Sequence, residues 1–261
     1  MEKILEKIFT HNDIKCITKE LFFYSKNHNE SETSSYFNKL FKIPYELIGG
    51  NENIFHFIDK YFNKYYKNEK IVKSSFAKDV LKKNGYVSFF ELALGDNRLD
   101  IGTIGSKSIA YEIKTKYDTL DRLQKQIETY CKFFEYVYVI CDCSKINDVI
   151  CLAHEDIGII EYDDSDPVFR FKTIRKAKRQ TNIDSKEQIK IIAKNELIKE
   201  FGEYNKNDIC ASYKDEYINT KFKKIIKNRY ATIWNSLSNK SNQICDFDFE
   251  AQYRKLKHQL I

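Results

Sequence analysis

Polar and apolar residues alternate twice in the middle of the chain. From Arg98 to Ile104, Leu99, Ile101 and Thr103 fall on one side, and Arg98, Asp100 and Gly102 on the other. From Ser108 to Lys114, Ile109, Tyr111 and Ile113 share one face, and Ala110, Glu112 and Lys114 the opposite one. Period-two patterning broken by Gly105-Ser106-Lys107 predicts two strands of a hairpin. A three-residue loop pairs Ile104 with Ser108 and so sets Asp100 across from Glu112. Directly opposed side chains lie roughly 5 Å apart at Cβ. Lys114, two residues further on, shares their face.

The period then changes. Leu120, Leu123, Ile127, Cys131 and Phe134 recur at steps of three and four, with Asp118, Arg122, Gln126 and Tyr130 as a polar strip beside them. This predicts a helix starting at Thr119 with Asp118 as its N-cap. Tyr136 to Cys141 is near-continuously apolar, which fits a strand buried on both faces. Upstream, Ile71, Val72, Phe76, Val80 and Leu81 predict an amphipathic helix over 69–84 that ends at Gly85, followed by a first strand over Tyr86–Leu94. Downstream, 145–153 reads as a second crossover helix, Ile157–Tyr162 as a strand and Asp163–Pro167 as a turn-rich break. The expected class is α/β, with a mixed central sheet flanked by helices.

The flanks differ in composition. Residues 1–66 are rich in Phe and Tyr, and spacings such as Leu5-Ile8 and Phe37-Leu40-Phe41 predict short helices broken at Asn29–Ser34 and at Gly49-Gly50. Aromatics there can stack on bases, but they read more readily as core. From Lys172 onward the chain reads as helices, with basic runs at 172–179 and at Lys221, Lys223, Lys224, Lys227 and Arg229. These are either a phosphate-gripping surface or solvated faces balanced by Glu196, Glu200 and Glu203. The expected division is a helical aromatic-rich extension (1–66), an α/β core (67–171) and a basic helical region (172–261).

Composition narrows the setting. The N-terminus lacks a long apolar stretch, and no run approaches the ~20 residues of a membrane span, so neither a secretory signal nor a membrane is expected. Seven cysteines occur without a Cys-x-x-Cys pair, which suits reduced thiols in a cytoplasmic protein. A formal charge of +6 is compatible with nucleic acid without demanding it.

Two close carboxylates suit a shared Mg²⁺ or Mn²⁺, which takes oxygen ligands at about 2 Å. Without a cation, repulsion drives one of them to protonate. Asp100, then Glu112-Ile113-Lys114 on a hairpin, then a helix carrying Gln126 and Tyr130, resembles the PD-(D/E)XK phosphodiesterase superfamily, which includes restriction endonucleases, resolvases and RecB-type exonucleases. Arg98-x-Asp100, Glu112-Ile113-Lys114, Asp118-Thr119-Leu120-x-Arg122-Leu123-x-x-Gln126 and the later Ile157-Gly158 are similar to a small bacterial subfamily of it. The likeness spans about 69–165, and Leu99 stands where proline is common in the superfamily.

The resemblance implies a restriction endonuclease-like core and a metal-dependent nuclease, expected to cut DNA internally. Asp100, Glu112, the Ile113 carbonyl and Glu91 would hold the metal. Lys114 would orient or help deprotonate the attacking water and stabilise the charged phosphorane, and Gln126 and Tyr130 would steer DNA or the Lys114 end of the site. Lys114, Arg98, Arg122, Lys223 and Lys224 are the candidate nucleic-acid contacts, although Arg122 reads more readily as a salt-bridge partner of Asp118. Relatives of this kind often serve restriction, phage defence or mobile-element maintenance. The alternative is an inactive nuclease-like module that binds nucleic acid or a partner protein. A third reading, a helical DNA-binding regulator carried by 175–261, rests on the charge clusters alone. A homodimer or a partner protein is left open.

Overall fold

The computed structural model describes residues 11–25, 28–49, 52–62, 69–81, 85–163, 170–239 and 249–260. The expected spacing Leu5-Ile8, Cys245 and most of the Asp163–Pro167 break lie outside them, as do the side chains of Val80 and Leu81. Helices α1 (His11–Ser25), α2 (Glu30–Phe41), α3 (Tyr45–Gly49), α4 (Ile54–Phe62) and α5 (Glu69–Leu81) lead into a six-stranded sheet.

The strands are β1 (Val87–Leu94), β2 (Asn97–Ile104), β3 (Ser108–Lys114), β4 (Tyr136–Asp142), β5 (Gly158–Tyr162) and β6 (Lys172–Arg175), and they lie in chain order across the sheet. β1–β2–β3 is an antiparallel meander. β3, β4 and β5 run parallel, and β6 returns antiparallel. Helix α6 (Leu123–Cys131) crosses from β3 to β4, and α7 (Ile146–Leu152) from β4 to β5. Beyond the sheet come α8 (Ser185–Lys190), α9 (Lys194–Phe201), α10 (Lys206–Ser212), α11 (Asp215–Asn239) and α12 (Phe249–Leu260). The class is mixed α/β, as the patterning predicts.

Three expectations change. The break placed at 29–34 is a helix start: Asn29 Oδ1 accepts from Glu32 N at 3.0 Å, Glu32 returns the bond to Asn29 N, and the helix runs on to Phe41. This capping box satisfies two of the amides that every helix start leaves open. Asp118 does not cap α6. Its carboxylate takes the Thr115 amide and hydroxyl, each at 2.7 Å, and so shapes a turn, and the helix begins at Leu123. The stretch opening at Lys172 is not helical, because Lys172–Arg175 pairs with β5 as the outer strand.

Two hydrophobic cores form among the described residues. Phe37, Phe41, Tyr45, Phe57 and Phe62 pack ring on ring with Ile14 and Leu21, so these N-terminal aromatics are core rather than base-stacking surface. The second core holds the sheet and, together with it, Ile189, Leu197, Phe222, Trp234 and Tyr253 of the C-terminal helices. Residues beyond 172 therefore share the core of the sheet. Helix α5 serves both cores, Ile71 in the first and Val72, Phe76 and Ala77 in the second. Gly102 allows close packing here: a Cβ at that position would lie 2.2 Å from the Phe89 ring, which itself stacks on Tyr230 of α11.

Candidate active site

Both hairpin ladders open at the same place. β1 and β2 pair from Val87–Ile104 to Leu94–Asn97, and Glu91 and Asp100 are the skipped partners. Glu91 has φ +56°, left-handed backbone that a residue with a Cβ adopts at a cost of about 1–3 kcal/mol. β2 and β3 keep the register of a three-residue loop, Ile104 opposite Ser108, but pairing stops at Ile101–Tyr111. Asp100 Oδ2 instead accepts the Ile113 N–H at 2.8 Å. The carboxylates of Glu91 and Asp100 emerge where the backbone has let go.

Glu112 is held from three sides. Its Oε1 accepts from Lys114 Nζ at 2.8 Å and from Gln126 Nε2 at 2.5 Å, and Oε2 accepts from the Tyr130 hydroxyl at 2.7 Å. Lys114 also donates to Gln126 Oε1 at 3.0 Å. Gln126 and Tyr130 are one turn apart on α6, so the polar strip read from the sequence grips β3. Burial pushes the Glu112 carboxyl up, and Lys114 and Tyr130 act against it.

A second cluster lies beside this cradle. Oxygens of Glu69, Glu91 and Asp100 fall within 4.8 Å of one another. The buried ammonium of Lys73 sits among them, 3.1 Å from Glu69 and 3.1 Å from Asp100, and hydrogen-bonded to Glu91. Burial and the charge of Glu112 raise the Asp100 carboxyl to about 6, against the pull of Lys73. Glu69 is raised by burial and by Asp100. Burial works to discharge Lys73, but Asp100, Glu69 and Glu91 outweigh it and hold the amine above its ordinary range. The metal pair expected from the sequence is Asp100 with Glu112. The grouping of close acidic oxygens found among the described residues is instead Glu69, Glu91 and Asp100, because Glu112 is turned toward α6.

The sequence does not single out Glu69 and Lys73. Their signal is a Glu–Lys pair at i,i+4 on the helix over 69–84, a common surface pattern.

Asp100, Glu112, Ile113, Lys114 and Gln126 line one cleft of about 440 Å³ with Glu69, and Arg98, Arg122 and Thr119 stand along it. Tyr130 reaches the cleft through Glu112, and Glu91 through Lys73, which also contacts Asp100. Arg98 is 70% exposed, with its Nε 2.5 Å from Glu91. Lys223 and Lys224 are elsewhere. Lys223 is mostly buried and bonds both oxygens of Glu135 and the Ser106 carbonyl, so it is a structural lysine rather than the expected phosphate contact. Lys224 is exposed but paired with Glu200 at 2.9 Å, and Lys221 joins the same carboxylate.

The donor set of the site is all oxygen, which suits a hard divalent cation. Glu112 Oε2 has one donor on it and keeps a free lone pair, and Ile113 borders the same cleft.

Residues 62–251, which contain every group of this site, match the family model described as bacteriophage P4 protein cII. Protein cII of Enterobacteria phage P4 is 24% identical over 127 residues, 49% of this chain and 48% of that protein, so the chain spans about half the length of the curated relative it matches. A solved structure, a Silicibacter pomeroyi protein of unknown function, covers 52% of this chain and 86% of its own at 17% identity, with a TM-score of 0.33.

Proposed function

This chain belongs to the bacteriophage P4 protein cII family, and we propose that it is a metal-dependent nuclease with a restriction endonuclease-like core. The carrying observation is that Asp100, Glu112 and Lys114 line one cleft on one side of the sheet, with Glu112 and Lys114 preset by Gln126 and Tyr130. Asp100, Glu91, Glu112 and the Ile113 carbonyl would hold Mg²⁺ or Mn²⁺, which supplies Lewis acidity and a more acidic bound water. Lys114 has three N–H donors, two of them spent on Glu112 and Gln126, and the third is available to the attacking water or a phosphoryl oxygen. Attack of that water on phosphorus would form the new P–O bond and break the bond to the leaving oxygen, the water's proton passing to solvent and the leaving oxygen taking one from it, and the ammonium would stabilise the charge that accumulates meanwhile. Arg98 and Arg122 line the same cleft and would contact the flanking phosphates.

The test is incubation of the purified chain with linear, circular and single-stranded DNA and with RNA, in Mg²⁺, Mn²⁺ or EDTA. DNA should be cut with metal and left intact in EDTA. Asp100→Asn and Lys114→Ala should each lower the rate by about 100-fold or more without unfolding the chain. One observation favours a non-cutting binding module, namely that a lysine already neutralises part of the acidic trio. Intact substrates under every metal condition would establish that reading instead.

A further inference from the structure

Lys73 is a cation lodged inside the acidic trio, and nothing in the proposed cleavage chemistry uses it. It lies on α5, far in sequence from the hairpin, and its side chain is 3% exposed. A buried ammonium needs compensation, and it contacts a carboxylate from each of three elements: Glu69 on its own helix, Glu91 on β1 and Asp100 on β2. The last two are the residues at which the ladders open, so the opening and the lysine belong together.

Charge counting shows what this arrangement leaves room for. Glu69, Glu91 and Asp100 bring three negative charges and Lys73 returns one, a net of two; Glu112 and Lys114 cancel each other. One divalent cation brings the set to neutrality, whereas two would leave it at +2. Sites that clamp a phosphoryl group between two metals place the ions about 3.5–4 Å apart across shared carboxylates. Here an ammonium already spans such carboxylates.

We propose that Lys73 is a tethered cation standing in for a second metal ion, so that the site takes one divalent cation and not two. This rests on the nuclease reading for the first ion. It makes Lys73 a positioning residue: it draws Glu69, Glu91 and Asp100 together and keeps Asp100 aimed at the cleft when metal is absent.

The test is calorimetric titration of the whole chain with Mn²⁺ alone, together with melting curves in EDTA and in Mn²⁺. The wild type should bind one ion per chain. Lys73→Met should bind two, should melt at least about 6 °C lower in EDTA, and should recover most of that loss in Mn²⁺. Lys73→Arg, which keeps the charge, should stay at one ion. If Lys73→Met does not fold in EDTA, it is folded in Mn²⁺ and its retained metal counted after desalting, where two ions per chain are again expected. A wild type that binds two ions, or a folded charge-removed variant that still binds one, overturns the proposal while leaving the nuclease reading standing. A wild type that binds none overturns both.

Discussion

Glu112 shows how the fold fixes a single buried side chain. Three donors fix its carboxylate, and one of them, the Tyr130 hydroxyl, also lies 3.1 Å from the Arg98 carbonyl. Tyr130→Phe removes that donor and leaves Glu112 Oε2 buried without its partner, which costs about 1–3 kcal/mol of stability. If the grip also sets catalytic geometry, the rate should fall a further 10- to 100-fold at saturating metal, as for other groups that orient a ligand from behind. Melting curves and single-turnover cleavage separate the two effects. A lower melting temperature with a wild-type rate would reduce Tyr130 to a packing residue. The sequence discloses this cradle because Gln126 and Tyr130 follow one another at a step of four beside an apolar stripe, and local periodicity carries that information. It does not disclose Glu69 and Lys73. Their contacts reach Glu91 and Asp100 across the fold and depend on a left-handed Glu91, for which no local pattern codes.

At the scale of elements, the alternation from Arg98 to Lys114 is enough to read the hairpin, its loop and its register, because a one-residue slip would turn every apolar side chain outward. What escapes are ends and edges. Asp118 has a turn to close instead of a helix to cap, and Lys172–Arg175, only four residues with little apolar content, becomes a strand through pairing with β5. A junction of elements that no motif announces is Glu135, just ahead of β4. It takes the Ser108 amide at 2.9 Å, Lys223 of α11 at 3.1 Å, and Arg179 and Asn219 at 3.2 Å each. Burial opposes its charge, but the Ser108 amide, Lys223 and Arg179 prevail and hold the carboxyl below its ordinary value. The sign follows from that depression. The stabilisation is present above the unfolded-state value of about 4.3 and is lost as pH falls through the folded-state value. Lys223→Met should therefore lower stability by about 1–3 kcal/mol at neutral pH, and the deficit should shrink below about pH 4.3. Denaturant melts from about pH 3.5 to 7.5, a span that brackets the ordinary carboxylate value, measure it. A deficit independent of pH would assign the loss to packing of the lysine stem.

For the molecule as a whole, the N-terminal aromatics and the C-terminal basic helices both prove to be structure. The aromatics form a separate core, and α11 and α12 complete the core of the sheet, with the Tyr253 hydroxyl accepting the Phe90 amide of β1 at 3.2 Å. The basic cluster on α11 is largely neutralised within the fold: Lys223 by Glu135, Lys221 and Lys224 by Glu200, and Arg229 by Glu196. Charge that is already paired releases few counterions when a polyanion binds, so on the proposed function the electrostatic footprint should sit at the cleft, foremost on the exposed Arg122 and less on Arg98, which Glu91 already pairs. Binding of a DNA duplex in EDTA, followed across salt concentration, tests this. Arg98→Gln with Arg122→Gln should weaken affinity and flatten the slope of log K against log salt by about 0.9 for each phosphate no longer neutralised. Lys223→Gln with Lys224→Gln should leave that slope unchanged while lowering the melting temperature. The opposite pattern, a flattened slope for the α11 pair and none for the arginines, would move the nucleic-acid surface from the cleft to the C-terminal helices.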